Sequence, residues 1–253
     1  MGKDKLRKFK ENETFRCLVQ PRTEEVFGVD HPLKGHWGDA FFGNDRPIVV
    51  ELGCGKGEYT VDLALRNPQC NYIGVDIKGA RLWKGARYTE ENGLPNVAFL
   101  RTRIEFITSM FAPGEVSEIW ITFADPQIRR EKKRLTSPLF MDRYRKMLRK
   151  GGIVHLKTDS RYLHEYSCAM ARQNSLEILA RATDIYGSDR ESLYASQMSS
   201  VCGRDAVDAL FQVQTFYESQ YLAQGIPITY LAFLIDHDGP YVSPEWEEDR
   251  WER

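Results

Sequence analysis

The feature that most constrains the fold is the stretch from residue 47 to 76. An apolar run from Ile48 to Leu52 breaks into Gly53, Gly55 and Gly57, continues as apolar positions at helical spacing to Arg66, and returns as Tyr72 to Val75, ending in Asp76. This reads as strand, glycine turn, helix and second strand. Glycines at alternate positions let the backbone approach a ligand and adopt positive φ, and the helix that follows presents free amide groups. Asp76, nineteen residues past Gly57, closes a β-α-β unit where a carboxylate can accept from both hydroxyls of a ribose. The turn is G-x-G-x-G, whereas the dinucleotide fingerprint is G-x-G-x-x-G, and Glu51 sits inside the first strand. That carboxylate would repel a pyrophosphate and suits a ligand that is positive at that end. S-adenosylmethionine, with its sulfonium, ammonium and ribose, fits both ends. A bare tight turn with Asp76 as a helix cap is the simpler alternative.

Beyond this unit, strand-like runs at 97–100, 118–123, 152–157, 176–180 and 228–235 alternate with helical patterns at 79–92, 104–110, 138–149, 160–173 and 206–224. The alternation predicts an α/β chain with a doubly wound, mostly parallel sheet. Its 253 residues, 42% hydrophobic, suffice for one large core with an attached arm. We divide them into a basic N-terminal arm and lead-in (1–46), a main domain (47–236) with an irregular insertion near 183–204, and an acidic tail (237–253). No run is long enough to span a bilayer, and the Lys/Arg-rich N-terminus has no apolar segment behind it, so a cytoplasmic protein without membrane association is expected. Five scattered cysteines with no C-x-x-C pair argue against a disulfide framework and leave free thiols as the default. The histidines show no ligand spacing, and no metal is expected.

In open α/β sheets, ligands sit outside the carboxyl ends of the strands. There the sequence places the glycine turn, Asp76, Arg101 and Arg103, the run Thr122-Phe123-Ala124-Asp125-Pro126, and Lys157-Thr158-Asp159. Pro126 biases Asp125 to an extended backbone. A basic segment follows at once: Arg129, Arg130, Lys132, Lys133 and Arg134 around Glu131. Residues 129–150 hold ten basic side chains against two acidic ones in a chain of net charge −1. Such segments act through phosphate contacts, so a nucleic-acid substrate is indicated, with a solvated basic helix start as the alternative.

Several motifs in order carry a resemblance. Ile48 onward, the run from Phe123-Ala124-Asp125-Pro126 through Leu135-Thr136, His155-Leu156-Lys157-Thr158-Asp159, Thr215-Phe216-Tyr217-Glu218 and Gly225-Ile226-Pro227-Ile228 resemble the bacterial tRNA (guanine-N7)-methyltransferases over about residues 34 to 235. The resemblance implies a seven-stranded sheet of the class I S-adenosylmethionine-dependent methyltransferase type. It implies S-adenosylmethionine as cofactor and tRNA as partner, in a monomer or homodimer, with methylation of guanine N7 at position 46 of the variable loop. Carried over, Glu51, Gly53, Gly55, Gly57, Asp76, Arg103 and Asp125 bind the cofactor. Asp125 is the catalytic residue, and Arg129, Asp159, Thr215 and Glu218 form the guanine side. Arg130, Lys132, Lys133 and Arg134 meet the RNA backbone. Two departures stand out: Gln127 replaces the family's Trp in a signature two residues shorter, and Arg103 stands where the family has Asp or Asn.

The chemistry is coherent with this. Guanine N7 carries a lone pair and no proton, so catalysis can rest on alignment and electrostatics without a base. A non-catalytic RNA-binding protein with a retained methyltransferase core, a methyltransferase on another nucleic acid or small molecule, and a dinucleotide-dependent oxidoreductase are the alternatives. Cofactor binding separates the first from an enzyme. His155, which alternates with apolar Ile153 and Leu156 in a strand-like run, reads as a core histidine, and Cys54 as a small filler in the turn.

Overall fold

The computed structural model describes residues 2–195 and 205–246. Eight strands form one sheet in the order β1-β4-β3-β2-β5-β6-β8-β7. They are β1 (Leu18–Val19), β2 (Ile48–Leu52), β3 (Asn71–Asp76), β4 (Val97–Arg101), β5 (Val116–Thr122), β6 (Leu148–Thr158), β7 (Ile178–Ala182) and β8 (Thr229–Leu234). The helices are α1 (Gly2–Asn12), α2 (Glu58–Arg66), α3 (Gly79–Asn92), α4 (Pro138–Tyr144), α5 (Arg161–Gln173), α6 (Arg190–Ala195), α7 (Asp205–Gln212) and α8 (Phe216–Ala223). Strands β1 to β6 pair in parallel, and β8 runs antiparallel to β6 and β7. Every residue of β2, β3 and β5 is buried, as expected of parallel strands covered on both faces, which is why they read as continuous apolar runs.

From β2 the chain adds β3 and β4 on one side, then β5 and β6 on the other. The crevice above β2 and β5 is therefore the topological switch point, where ligands of such sheets bind. The eighth strand, β1, is supplied by the N-terminal segment on the edge of β4. That segment is fastened to α3: the Asn12 amide donates to Gly79 O (2.9 Å), the Cys17 amide to Glu90 (2.7 Å) and the Trp83 indole to Glu11 (2.6 Å). Trp37 is buried, donates to Met110 O (2.8 Å) and stacks on Phe111, whereas Phe27 stays exposed.

The basic stretch 129–150 is divided by α4, which carries the chain from the carboxyl rim of β5 back to the start of β6 at Leu148. Arg129 to Lys133 thus stand at the switch-point rim, while Arg149 and Lys150 stand at the opposite end. Part of the insertion, 183–195, folds around Asp189, whose carboxylate accepts the amides of Thr183 (2.5 Å) and Asp184 (3.1 Å) before α6 begins. Residues 196–204, with Arg204 and Cys202, lie outside the described residues, as do 247–253 with Trp251. Trp246 packs edge-on against Tyr162 and Tyr166 of α5. Cys17, Cys54 and Cys168 are free and buried, in line with the expectation of free thiols. No helix among the described residues is long and apolar enough to cross a membrane, and none of their His, Cys, Asp and Glu side chains gather into a metal-holding group.

Candidate active site

Gly53, Gly55 and Gly57 all take positive φ, +79°, +58° and +72°, so the turn between β2 and α2 is open to residues without a Cβ at little strain. Gly57 has a second constraint: a Cβ there would run into the Phe99 ring, which fills the space between α2 and α3. The turn is tied to β3. The Gly53 and Cys54 amides donate to Val75 O (2.8 and 3.1 Å), and the Gly55 amide donates to Asp76 Oδ2 (2.9 Å). Asp76 Oδ1 accepts from the Lys78 amide (2.7 Å). Each carboxylate oxygen keeps a further acceptor site, and Asp76 lines the cavity above the turn.

Glu51 lies beneath that turn. It is 3% exposed and accepts from the Thr122 hydroxyl (2.5 Å) and the Thr60 hydroxyl, joining β2, β5 and α2. Burial pushes its carboxyl above the usual range, and the two hydroxyls oppose that shift. It does not line the cavity, and neither do Gly55 and Gly57.

The cavity, about 490 Å³, opens at the switch point and is lined by Gly53, Asp76, Arg103, Asp125, Gln127 and Lys133, among others. Its size suits a nucleoside-sized ligand. Arg103 extends over one end and donates to Glu105 (3.3 Å), which also lines it. The other end is the loop after β5. There Phe123 and Gln127, neither of them glycine, both hold φ at +50°, a conformation that costs on the order of 1 kcal/mol or more each and persists only where the surroundings impose it. Asp125 is exposed between them and accepts from the Gln127 amide (3.0 Å).

What imposes that loop is Arg134. Expected on the RNA backbone, it is instead completely buried. Its guanidinium donates to the carbonyls of Pro126, Gln127 and Ile128, each at 3.0 Å, and to the Tyr162 hydroxyl. It packs over the rings of Tyr162 (4.9 Å) and Tyr166 (3.9 Å). The planar five-donor fork satisfies three carbonyls that turn inward, so the fifth cation of the basic run is a structural post. Arg129, Arg130, Lys132 and Lys133 are exposed around it.

Beyond β6, Asp159 is half-buried beside the Tyr221 hydroxyl of α8; burial raises its pKa, and the neighbouring hydroxyl opposes that shift. Thr215 and Glu218, expected to meet guanine, are engaged elsewhere. Thr215 caps α8, its hydroxyl accepting from the Glu218 amide (3.2 Å), in a reciprocal capping box. Glu218 is 0% exposed, paired with the Lys157 ammonium (2.7 Å) and accepting from the Tyr186 hydroxyl (2.8 Å). The T-x-x-E spacing is itself a helix-start signature, which accounts for that arrangement. Lys157 also donates to Leu210 O (2.7 Å) and Val213 O (3.2 Å). The sequence puts Lys157 on the rim with Thr158 and Asp159 without giving it a role; a lysine ending a buried strand is the signal for a buried ion pair. His155 is buried on β6, stacked on Trp120 (4.1 Å) with Nδ1 2.7 Å from the Tyr230 hydroxyl.

Residues 45–197 match the family model described as "Putative methyltransferase". The chain is 52% identical to a tRNA (guanine-N(7)-)-methyltransferase of Christiangramia forsetii, over 92% of this chain and 99% of that protein. A protein of the same description from Bacteroides thetaiotaomicron is 44% identical over 98% and 92% of the two chains. Among solved structures, the 16S rRNA methyltransferase KamB superposes with a TM-score of 0.52 over 78% of this chain and 88% of that one, at 14% identity, a likeness of fold.

Proposed function

The chain belongs to the tRNA (guanine-N7)-methyltransferase family, and from that premise we propose that it transfers the methyl group of S-adenosylmethionine to N7 of the guanine at position 46 of the tRNA variable loop. The observation that carries this reading is the cavity at the switch point, with Asp76 and Asp125 at its wall and exposed Arg129, Arg130, Lys132 and Lys133 on the rim beside it.

S-adenosylmethionine supplies an electrophilic methyl: the S–C electron pair stays on sulfur while the N7 lone pair takes the carbon. The residues of the chain do the rest by position and charge. Asp76, its oxygens aimed by two backbone amides, accepts the ribose hydroxyls. Gly53 leaves room for close backbone approach. Arg103 and Glu105 close the cavity's outer end, where Arg103 offers a cationic plane to stack on the adenine and Glu105 an acceptor for its edge. Glu51 acts from below the turn, joining β2, β5 and α2 through Thr122 and Thr60 and setting a carboxyl under the end of the cavity that takes the ammonium. Asp125 faces the reacting centre, and Asp159 accepts from the guanine edge. The exposed basic rim holds phosphates and fixes register. Thr215, Glu218 and Lys157 hold α8 in place behind the acceptor. A reaction on tRNA places the protein in the cytoplasm.

Asp159 sets a pH dependence. Its pKa in the folded protein is raised by burial, and only the ionised form accepts from guanine without itself donating. Activity is therefore lost as pH falls through that raised pKa, above the range near 4 of an ordinary aspartate. A profile of kcat/KM against pH is expected to show this acid limb, and Asp159→Asn to lower the plateau and abolish the limb. An unchanged limb in the variant removes Asp159 from the reaction.

The site is tested with labelled S-adenosylmethionine and unmodified tRNA transcripts carrying guanine or adenine at position 46. Label in the first alone is expected. Equal label in both would move the reaction to another acceptor.

A further inference from the structure

Two aromatic side chains join the two carboxylates of the acceptor side. Phe123 lines the cavity two residues before Asp125 and is held at φ +50°. Its amide donates to Lys157 O (2.9 Å), which fixes it against β6. Tyr221 lies across from it, ring centroids 6.2 Å apart and planes inclined by 23°, and Asp159 stands beside its hydroxyl. Both rings are only partly buried. Tyr221 is one turn along from Glu218 on α8, and the buried pair of Glu218 with Lys157 (2.7 Å) sets where that helix face stands. The result is a continuous wall running from Asp125 through Phe123 and Tyr221 to Asp159.

We infer that this wall is the stacking surface for the target guanine, with Tyr221 as a substrate-binding residue that also favours the transition state. The inference rests on the guanine-N7 methyl-transfer reading above. A base whose N7 is to reach the cavity must leave its neighbours, and an aromatic face replaces the lost stacking. The methyl transfer moves positive charge from sulfur onto the purine, and an electron-rich ring face attracts a cation more than a neutral base. The wall therefore binds the charge-developing purine more tightly than the ground state, the condition for raising turnover. Asp159, beside Tyr221 at one end, and Asp125, beside Phe123 at the other, add two negative charges along the same line.

The test uses the full chain, an unmodified tRNA transcript and S-adenosylmethionine. Tyr221→Leu removes the ring at similar volume, Tyr221→Phe keeps the ring and removes the hydroxyl, and Phe123→Leu removes the other half of the wall. Tyr221→Leu is expected to lower kcat and raise the tRNA KM, together lowering kcat/KM by about tenfold to a hundredfold, the range one base-to-ring stack supplies. Its affinity for S-adenosylmethionine is expected to stay within about twofold. Tyr221→Phe is expected to recover most of kcat. Wild-type kinetics in Tyr221→Leu overturn the inference. So does a Tyr221→Phe variant as impaired as Tyr221→Leu, because the hydroxyl and not the ring would then be the element in use. Should Tyr221→Leu lose cofactor binding, Phe123→Leu decides: a tRNA KM and kcat equal to wild type overturn the wall. If the wild-type protein itself leaves guanine unmethylated, it is the functional reading that fails, and that outcome is separate from these.

Discussion

Asp125→Ala is expected to lower the rate of methyl transfer to tRNA by about 10²- to 10³-fold, the range seen when one preorganised electrostatic group is removed from a reaction centre. The side chain is exposed and is held by the Gln127 amide (3.0 Å), while the loop around it is held by Arg134 through three carbonyls. Its loss should therefore leave the melting temperature within a few degrees of wild type and the loop in place. Asp125→Asn separates charge from shape. It can keep the bond to the Gln127 amide but carries no negative charge toward the developing purine cation, so it should resemble Asp125→Ala in kcat. Single-turnover rates at saturating S-adenosylmethionine, with a melting curve for each variant, check both statements. Normal turnover in Asp125→Ala would remove this residue from the chemistry.

The largest expected effect on stability lies behind the acceptor. Lys157 and Glu218 are both fully buried and 2.7 Å apart; burial pushes the Lys157 ammonium down to about 8 while Glu218 opposes the shift. The lysine binds α8 through Glu218 and the end of α7 through Leu210 and Val213, and Tyr186 adds the insertion to the same carboxylate. Lys157→Met removes one partner and leaves a buried carboxylate without its cation and two buried carbonyls without the ammonium. Breaking a buried pair in this way costs roughly 3–5 kcal/mol, or about 6–20 °C in melting temperature for a chain of this size. Replacing both partners with apolar residues is expected to recover a large part of that, since desolvation and attraction nearly offset each other in such pairs. Thermal melts of the two singles and the double check this. A single variant as stable as wild type would mean that the pair does not hold these elements together.

The β-α-β unit was legible because its signals are local: alternate glycines, a helix of apolar period, and an aspartate ending a buried strand. The rim was legible for a related reason, since residues at strand ends share one face of a parallel sheet. Arg134 was not legible. In composition it is one more cation in Arg129-Arg130-Glu131-Lys132-Lys133-Arg134, and only Tyr162 and Tyr166, about thirty residues on, turn it inward. Glu218 was ambiguous because the same T-x-x-E spacing serves a helix cap and a ligand site, and its burial depends on Lys157 from a different strand. Phe123 and Tyr221 are ordinary apolar positions in sequence; the loop geometry and the register of α8 place them together. The division of residues 129–150 between two ends of the sheet follows from the shortness of α4, which a run of mixed basic and apolar residues does not announce.

Methylation at N7 weakens the glycosidic bond of the modified guanosine, so it can be read as chain scission. An unmodified tRNA transcript is incubated with the protein and S-adenosylmethionine, reduced with borohydride, treated with aniline and mapped by the length of the fragments. Chain scission at the variable-loop guanine, dependent on both protein and cofactor, is the expected result. Methyl incorporation without scission would place the methyl on another atom and exclude N7 as the acceptor.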